Sequence, residues 1–213
     1  MKILLSIALL FTLSACGTVQ KAQYSALEKV GIHKRDILVD RIEATSETQQ
    51  ETKEQFQSAY EELASLVKID DGGLEKKYKK MAAAVEKSED KAQELEDRIT
   101  SVNEVATALF AEWASELNEY QSASLRQASA KNLSTTEQRY AVLYQKMQAS
   151  QKRVEPVLKV LQDNTLYLKH NLNARAINGL SSEVLSIEGK VAELIKQMEV
   201  SINESNQFVK SMR

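Results

Sequence analysis

From Leu74 onward apolar residues recur at alternating steps of three and four: Leu74, Tyr78, Met81, Val85, Ser88, Ala92, Leu95, Ile99, Val102, Ala106, Leu109 and Trp113, with Ser88 the one polar member. A spacing that averages 3.5 residues keeps one stripe on one face of a helix and is the seam of helices packed side by side. The steps from Leu109 through Trp113 to Leu117 are four and four, a stutter that relaxes a supercoil locally. Residues 121 to 133 are serine-rich and weakly periodic, so this second helix is expected to break or fray there.

The same pattern predicts three more helices. Helix 4 carries Leu180, Val184, Ile187, Val191, Leu194, Met198, Ser201, Ser205, Phe208 and Met212, with Leu185, Ile195 and Ile202 widening the stripe so that it can meet two neighbours. Helix 3 is read through Tyr140, Tyr144, Met147, Gln151, Val154, Leu158, Leu161, Thr165, Leu168 and Leu172, with Pro156 off that stripe and expected to kink the helix. Helix 1 begins its seam at Leu38 and Ile42, places Thr45, Gln49 and Thr52 in the middle, and closes it with Phe56, Leu63 and Leu66. Three polar layers in succession set that helix apart.

Connections agree with antiparallel hairpins. Asp70-Asp71-Gly72-Gly73 is a turn cluster, Ser134-Thr135-Thr136-Glu137 has the form of a capping box, and Asn178-Gly179 followed by Ser181 predicts a stop and a new start. The predicted spans are 34 to 69, 74 to 121 or beyond, 135 to 177 and 182 to 211. Residues 19 to 30 form a shorter amphipathic segment hinged at Gly31. The expected fold is all-α: an elongated antiparallel bundle of about four long coiled-coil-like helices.

The first residues are of another kind. Met1-Lys2 is followed by an apolar run over residues 3 to 13, whose roughly 16 Å of helical rise covers about half of a ~30 Å hydrocarbon core. That is the length of a signal peptide rather than of a spanning helix. The run ends in Leu13-Ser14-Ala15-Cys16, which looks like a bacterial lipobox, and Cys16 is the chain's single cysteine. The expected organisation is therefore a signal peptide over 1–15, a lipidated anchor segment and hinge over 16–33, and a helical bundle domain over 34–213. Gly17 stands where aspartate is associated with inner-membrane retention, so outer-membrane placement facing the periplasm is expected, with the lipid anchor as the membrane partner and an envelope protein as a further one.

Composition narrows the chemistry. The 213 residues are 43% hydrophobic and 27% charged, with six glycines and one proline, too little punctuation for a β-sandwich. Lys plus Arg number 28 against 30 for Asp plus Glu, which lacks the basic excess of a nucleic-acid binder. One cysteine and two histidines leave little soft-metal chemistry. A straight-helix alignment separates His33 from His170 by roughly 25 Å along the bundle, so no metal site is expected.

Two segments lie outside the generic seam: residues 29 to 41 (Lys29-Val30-Gly31-Ile32-His33 through Arg41) and residues 168 to 177 (Leu168-Lys169-His170-Asn171 through Ile177). With Ala108-Leu109-Phe110-Ala111-Glu112-Trp113 and Glu155-Pro156-Val157-Leu158 between them, they resemble a family of bacterial lipoproteins known as domain of unknown function 2959. The resemblance covers essentially the whole mature chain and implies a secreted helical protein, with no activity, cofactor or catalytic residue to carry over. Some family members bear the label DNA repair ATPase. A phosphate-binding loop needs G-x-x-x-x-G-K-S/T, which this sequence lacks, and an exported lipidated protein meets neither ATP nor chromosome.

The remaining candidates are weighed against ordinary structure. Glu86, Glu89, Asp90, Glu94, Glu96 and Asp97 lie off the seam and read as a solvated face beside Lys87, Lys91 and Arg98. Lys76, Lys77, Lys79 and Lys80 read as an exposed face diluted by Asp70, Asp71 and Glu75. Thr45, Gln49 and Thr52 are expected either to fix which helices pair, as buried polar groups do in coiled coils, or to mark a seam that opens, holds a polar ligand or receives a partner helix. His170, Asn171 and Arg175 extend the polarity at the end of helix 3. No catalytic, cofactor or metal constellation is found, and the expected function is that of a non-enzymatic spacer, scaffold or adaptor; the alternative is a helical module that binds a small amphiphile or polar ligand.

Overall fold

The computed structural model describes residues 31, 33–66, 73–171 and 174–213, with the backbone alone at 174–179 and 181. Four long helices account for almost all of them: α1 (Lys34–Leu66), α2 (Leu74–Glu116), α3 (Ala123–His170) and α4 (Ala174–Met212). At 1.5 Å per residue they run about 50 to 72 Å. Each packs against the next and α4 returns to α1, while α1 and α3 stand on a diagonal. The result is an up-down-up-down bundle of four helices, as the periodicity predicts. The expected signal peptide and Cys16 lie outside the described residues.

The core is the heptad seam. Leu38, Ile42, Phe56, Leu63, Leu66, Met81, Leu95, Val102, Leu143, Met147, Leu161, Leu168, Ile187, Leu194 and Met198 are fully buried, and burial of each such large side chain contributes about 1.5–3 kcal/mol. Side-chain bonds hold neighbours in step: Arg41 donates to the Ser101 carbonyl at 3.0 Å, Gln55 to the Ala84 carbonyl at 2.9 Å, and the Trp113 indole to Ser129 Oγ at 2.8 Å. Near the start of α1, Tyr140 meets Phe110 edge-on at 5.5 Å, stacks on Tyr144 at 5.8 Å and meets Phe208 at 6.1 Å, joining α2, α3 and α4.

Several expectations need correction. Helix α2 does not run on to 121: it ends at Glu116 in a single 3-10 turn over Leu117–Glu119, so the stutter is a terminus. Helix α3 starts at Ala123, twelve residues before the expected 135, with Ser122 Oγ accepting from Leu125 N at 3.4 Å. Ser134–Glu137 is thus no capping box but lies inside the helix. There the Thr135 and Thr136 hydroxyls bond back to the carbonyls of Lys131 and Asn132, at 2.9 and 2.8 Å, the way threonine is accommodated within a helix. Residues 123 to 133, with three Ala, two Leu and no Gly, Pro or β-branched residue, need no long apolar stripe to be helical.

The α3–α4 connection also comes earlier than predicted. Helix α3 stops at His170, seven residues short of 177, and α4 is helical from Ala174, straight through Asn178-Gly179 and Ser181. Helix α1 ends at Leu66, and the turn cluster survives in the described residues as Gly73, whose φ of 100° favours glycine. Gly31, the expected hinge, has φ 84°.

The stripe of α3 is shifted on alternate turns. Its buried members are Tyr140, Leu143, Met147, Ser150, Val154, Val157, Leu161, Asn164 and Leu168. Leu143, Ser150, Val157 and Asn164 take the core places assigned to Tyr144, Gln151, Leu158 and Thr165, which are half-buried on the flank. Two of the four positions are polar on either stripe, Ser150 and Asn164 against Gln151 and Thr165, so apolar content does not separate the two readings. Leu185, expected to widen the α4 stripe, is 72% exposed. Pro156 is exposed on an unbroken α3, between buried Val154 and Val157.

The shifted stripe sets a direct contrast. Leu143→Ala should cost about 2–5 kcal/mol in urea denaturation, whereas Leu185→Ala should stay within about 0.5 kcal/mol; equal effects would mean that α3 is rotated relative to this structure.

Burial, reinforced by the nearby Tyr144, pushes the Tyr140 phenol well above its ordinary 10.0, and its hydroxyl donates to Asn103 Oδ1 at 3.1 Å. The unfolded chain therefore releases this proton first as pH rises, so the contribution is complete below about pH 10 and is lost above it. Tyr140→Phe should flatten the alkaline decline of stability followed by circular dichroism; a decline as steep as that of the wild type would remove Tyr140 as its cause.

Candidate functional site

The polar layers of α1 are the best-defined polar site in the interior. Thr45, Gln49 and Thr52 are fully buried, together with Ser150 of α3 and Ser201 of α4. They face inward because each occupies a seam position, flanked by Ile42 below and Phe56 above. Their polar groups are used differently. Thr45 Oγ1 donates to the Arg41 carbonyl and Thr52 Oγ1 to the Thr48 carbonyl, both at 2.7 Å, so those hydroxyls are spent within their own helix.

Gln49 is the member that crosses the bundle. Its Nε2 donates to Ser150 Oγ at 2.8 Å and to Ser201 Oγ at 2.9 Å, joining α1 to its diagonal partner and to α4 in one layer. Ser150 Oγ in turn donates to the Met147 carbonyl at 2.7 Å. On α2 the register set by the Lys91–Glu51 pair, at 2.6 Å, brings half-buried Ala92 to the same level, where a small side chain leaves room for the amide. Gln49 Oε1 and, one turn along α1, Ser46 Oγ are buried with no hydrogen-bond partner.

The arrangement is selective for register. Core places one heptad either side of Ser150 and Ser201 hold Val157 with Leu194, or Leu143 with Phe208. A slip of α1 by seven residues would bury the Gln49 amide against side chains that cannot accept, at about 1–3 kcal/mol for each donor left unpaired. Ser88 and Gln55 make a second polar tie one layer on: Gln55 Nε2 reaches Ser88 Oγ at 3.3 Å, and Ser88 Oγ donates to the Ala84 carbonyl at 2.8 Å.

The other candidates do not join this site. His170 is exposed in the last turn of α3, and Asn171 caps that helix, its backbone N–H donating to the Leu168 carbonyl at 3.1 Å and its side chain to the Tyr167 carbonyl at 3.0 Å. Arg175 begins α4, with only its backbone described. Ser150 and His170 are twenty residues apart on one helix, about 30 Å. His33 is exposed beside the start of α1, at the opposite end of the bundle from His170. Their separation is nearer 45–55 Å than 25 Å, because the α2–α3 turn comes early and moves His170 farther along the bundle.

Ser150, which completes the layer, was missed because Gln151 looked equivalent on the displaced stripe. The signal available was the need of a buried glutamine for acceptors. Among the described residues no three or more of His, Cys, Asp and Glu cluster as a metal site, and the hydroxyls of the layer bond to amide and carbonyl groups rather than to a base. The layer is built to hold helices in place. On the surface Lys91 is shared between Glu51 and Glu94, its ammonium pushed up first by the Glu51 bond, while Glu94 is held below the usual carboxylate range first by Lys91. The Lys91–Glu51 pair ties α1 to α2 at the same level and Lys91–Glu94 lies within α2, while Glu86, Glu89, Asp90, Glu96 and Asp97 are exposed, as expected of a solvated face.

Fold and interior together define a four-helix bundle of long antiparallel helices keyed by a polar layer. The chain belongs to the family described as Protein of unknown function (DUF2959), which it matches over residues 23–212. No curated protein and no solved structure matches it.

Gln49→Ala should cost about 2–4 kcal/mol, from two lost hydrogen bonds and a cavity. Adding Ser150→Ala and Ser201→Ala should cost less than the sum of the single changes, because the three act as one unit. Thr45→Val and Thr52→Val, which remove only local bonds, should each stay within about 1 kcal/mol. Additive effects in urea titrations would mean that Gln49 does not depend on the two serines.

Proposed function

We propose that this chain is a lipid-anchored helical spacer or scaffold of the bacterial envelope, held to the membrane by acylated Cys16 and facing the periplasm, at the outer membrane. The lipobox-like Leu13-Ser14-Ala15-Cys16 supports the anchor, and several acyl chains on one residue suffice for stable attachment without a spanning segment. None of the described helices is long and apolar enough to cross a membrane. The observation that carries the spacer reading is topological. Helix α1, the first described helix after Cys16, starts at one end of the rod, and Lys34 Nζ sits there 2.8 Å from Glu112 Oε1 near the end of α2. The α1–α2 and α3–α4 connections are therefore at the far end, about 50 Å from that start. A rod tethered by one end presents charged helix faces at a set distance from its membrane, which suits recruitment of an envelope protein.

The competing reading, a module that binds a small amphiphile or polar ligand between the helices, draws on the unpartnered Gln49 Oε1. Against it, Thr45, Gln49, Thr52, Ser150 and Ser201 are sealed together with no exposed surface. Native mass spectrometry of gently extracted protein separates the two: a stoichiometric small-molecule adduct supports the module, a co-purifying protein the scaffold.

Cys16→Ser should abolish incorporation of an alkyne fatty acid, since no other cysteine is present. Label retained on the variant would end the lipoprotein reading. The mature domain should scatter as an elongated monomer some 70 Å long; a compact profile or an obligate dimer would contradict the spacer.

A further inference from the structure

The end of the rod nearest the anchor is not flat. At the level of Lys34 and Glu112 the start of α1 stands beside α2, yet the chain continues another ten residues from Glu112 before α3 begins after Ser122. The helix up to Glu116 and the 3-10 turn to Glu119 add roughly 12 Å of rise before the chain reverses. Helix α4 stops at Met212 on the same end, where Arg213 reaches Glu43 at 2.7 Å, about nine residues into α1. The α2–α3 turn is therefore the farthest described point on the anchor side.

We propose that this turn touches the membrane: Tyr120 and Leu125 sit in the interfacial layer of the same bilayer that holds acylated Cys16. This rests on the lipid-anchor reading. Tyr120 is 39% exposed and Leu125 59% exposed, and the run Tyr120-Gln121-Ser122-Ala123-Ser124-Leu125 between them carries no charge. An aromatic ring with one polar edge suits the boundary between water and acyl chains. The Tyr120 hydroxyl and the half-buried Trp113 indole both donate to Ser129 Oγ, at 3.4 and 2.8 Å, which steadies the ring at the tip.

The tether is long enough. Sixteen residues lie between Cys16 and His33, a reach of up to roughly 60 Å, while the tip stands about 12 Å past the start of α1. Charge selects the kind of surface. Glu112, Glu116 and Glu119 against Arg126 and Lys131 give no basic excess, so the tip fits a zwitterionic interface through apolar and aromatic contact, and its attachment does not weaken with salt.

The test uses mature, acylated protein in phosphatidylcholine–phosphatidylethanolamine vesicles. The Cys16 sulfur is consumed in the thioether, so Leu125→Cys introduces the one free thiol for an environment-sensitive fluorophore, with Lys76→Cys at the far end as control. Doxyl-lipid quenching should be at least about threefold stronger at 125 than at 76, with blue-shifted emission that is the same at low and high salt. Gln121→Cys repeats the measurement without altering either apolar side chain, and Tyr120→Ser should weaken its quenching. Water-like emission at 121 and 125 on protein whose acylation is confirmed by mass would overturn the proposal, as would energy transfer between labelled copies without lipid quenching. If Cys16 carries no acyl chain the anchor reading fails, and quenching at 121 and 125 on added vesicles then decides the tip alone.

Discussion

One side chain ties the architecture together. Gln49 projects from α1 into the centre of the bundle and donates to Ser150 and Ser201, so a single amide joins three of the four helices where heptad packing alone would accept several alignments. Apolar seams are permissive: a seven-residue slip replaces one buried leucine or valine by another at little cost. A buried amide is not permissive, because its donors find acceptors at one pair of positions and none a heptad away. The register also sets the outline, since it decides how far the α2–α3 turn stands beyond the start of α1 and where α4 stops.

Stability and specificity are divided between residue types. The large buried side chains from Leu38 to Met198 supply the hydrophobic stabilisation. The polar layer gives some of it up, leaving Gln49 Oε1 and Ser46 Oγ unpaired, and confers a unique alignment in return. Surface pairs such as Lys91 with Glu51 and Glu94 repeat that alignment outside the core at low energetic weight. A spacer depends on its length and on which end is tethered, and both follow from register.

The four helices and most of their core were legible in the sequence, because a heptad stripe in α2 and α4 has one reading. Helix α3 was half legible: Tyr140, Met147, Val154, Leu161 and Leu168 stand where expected, but the places between them were read one residue along, at Tyr144, Gln151, Leu158 and Thr165, because both stripes alternate apolar and polar residues. Ser150, which accepts from Gln49, was hidden by the same one-residue ambiguity, with Gln151 beside it. Helix boundaries failed where local signals were strongest. Ser134–Glu137 and Asn178-Gly179 look like a start and a stop, yet the chain turns at Leu117–Ser122 and between Asn171 and Ala174, where tertiary ties such as Trp113 to Ser129 decide. The weight of Thr45, Gln49 and Thr52 was visible as three polar layers; that Gln49 alone crosses the bundle was not, because it depends on which residues stand opposite.

The central claim is that the Gln49–Ser150–Ser201 layer selects one register, and pairwise spin-label distances between exposed sites on α1 and α4 test it most directly. Wild-type protein should show one narrow distance distribution. Replacing the layer together, by Gln49→Leu, Ser150→Ala and Ser201→Ala, should leave a folded helical bundle but add a second distance population displaced by about 10 Å, the rise of one heptad. A single unshifted distribution in that variant would contradict the account and assign register to the apolar core and the helix connections.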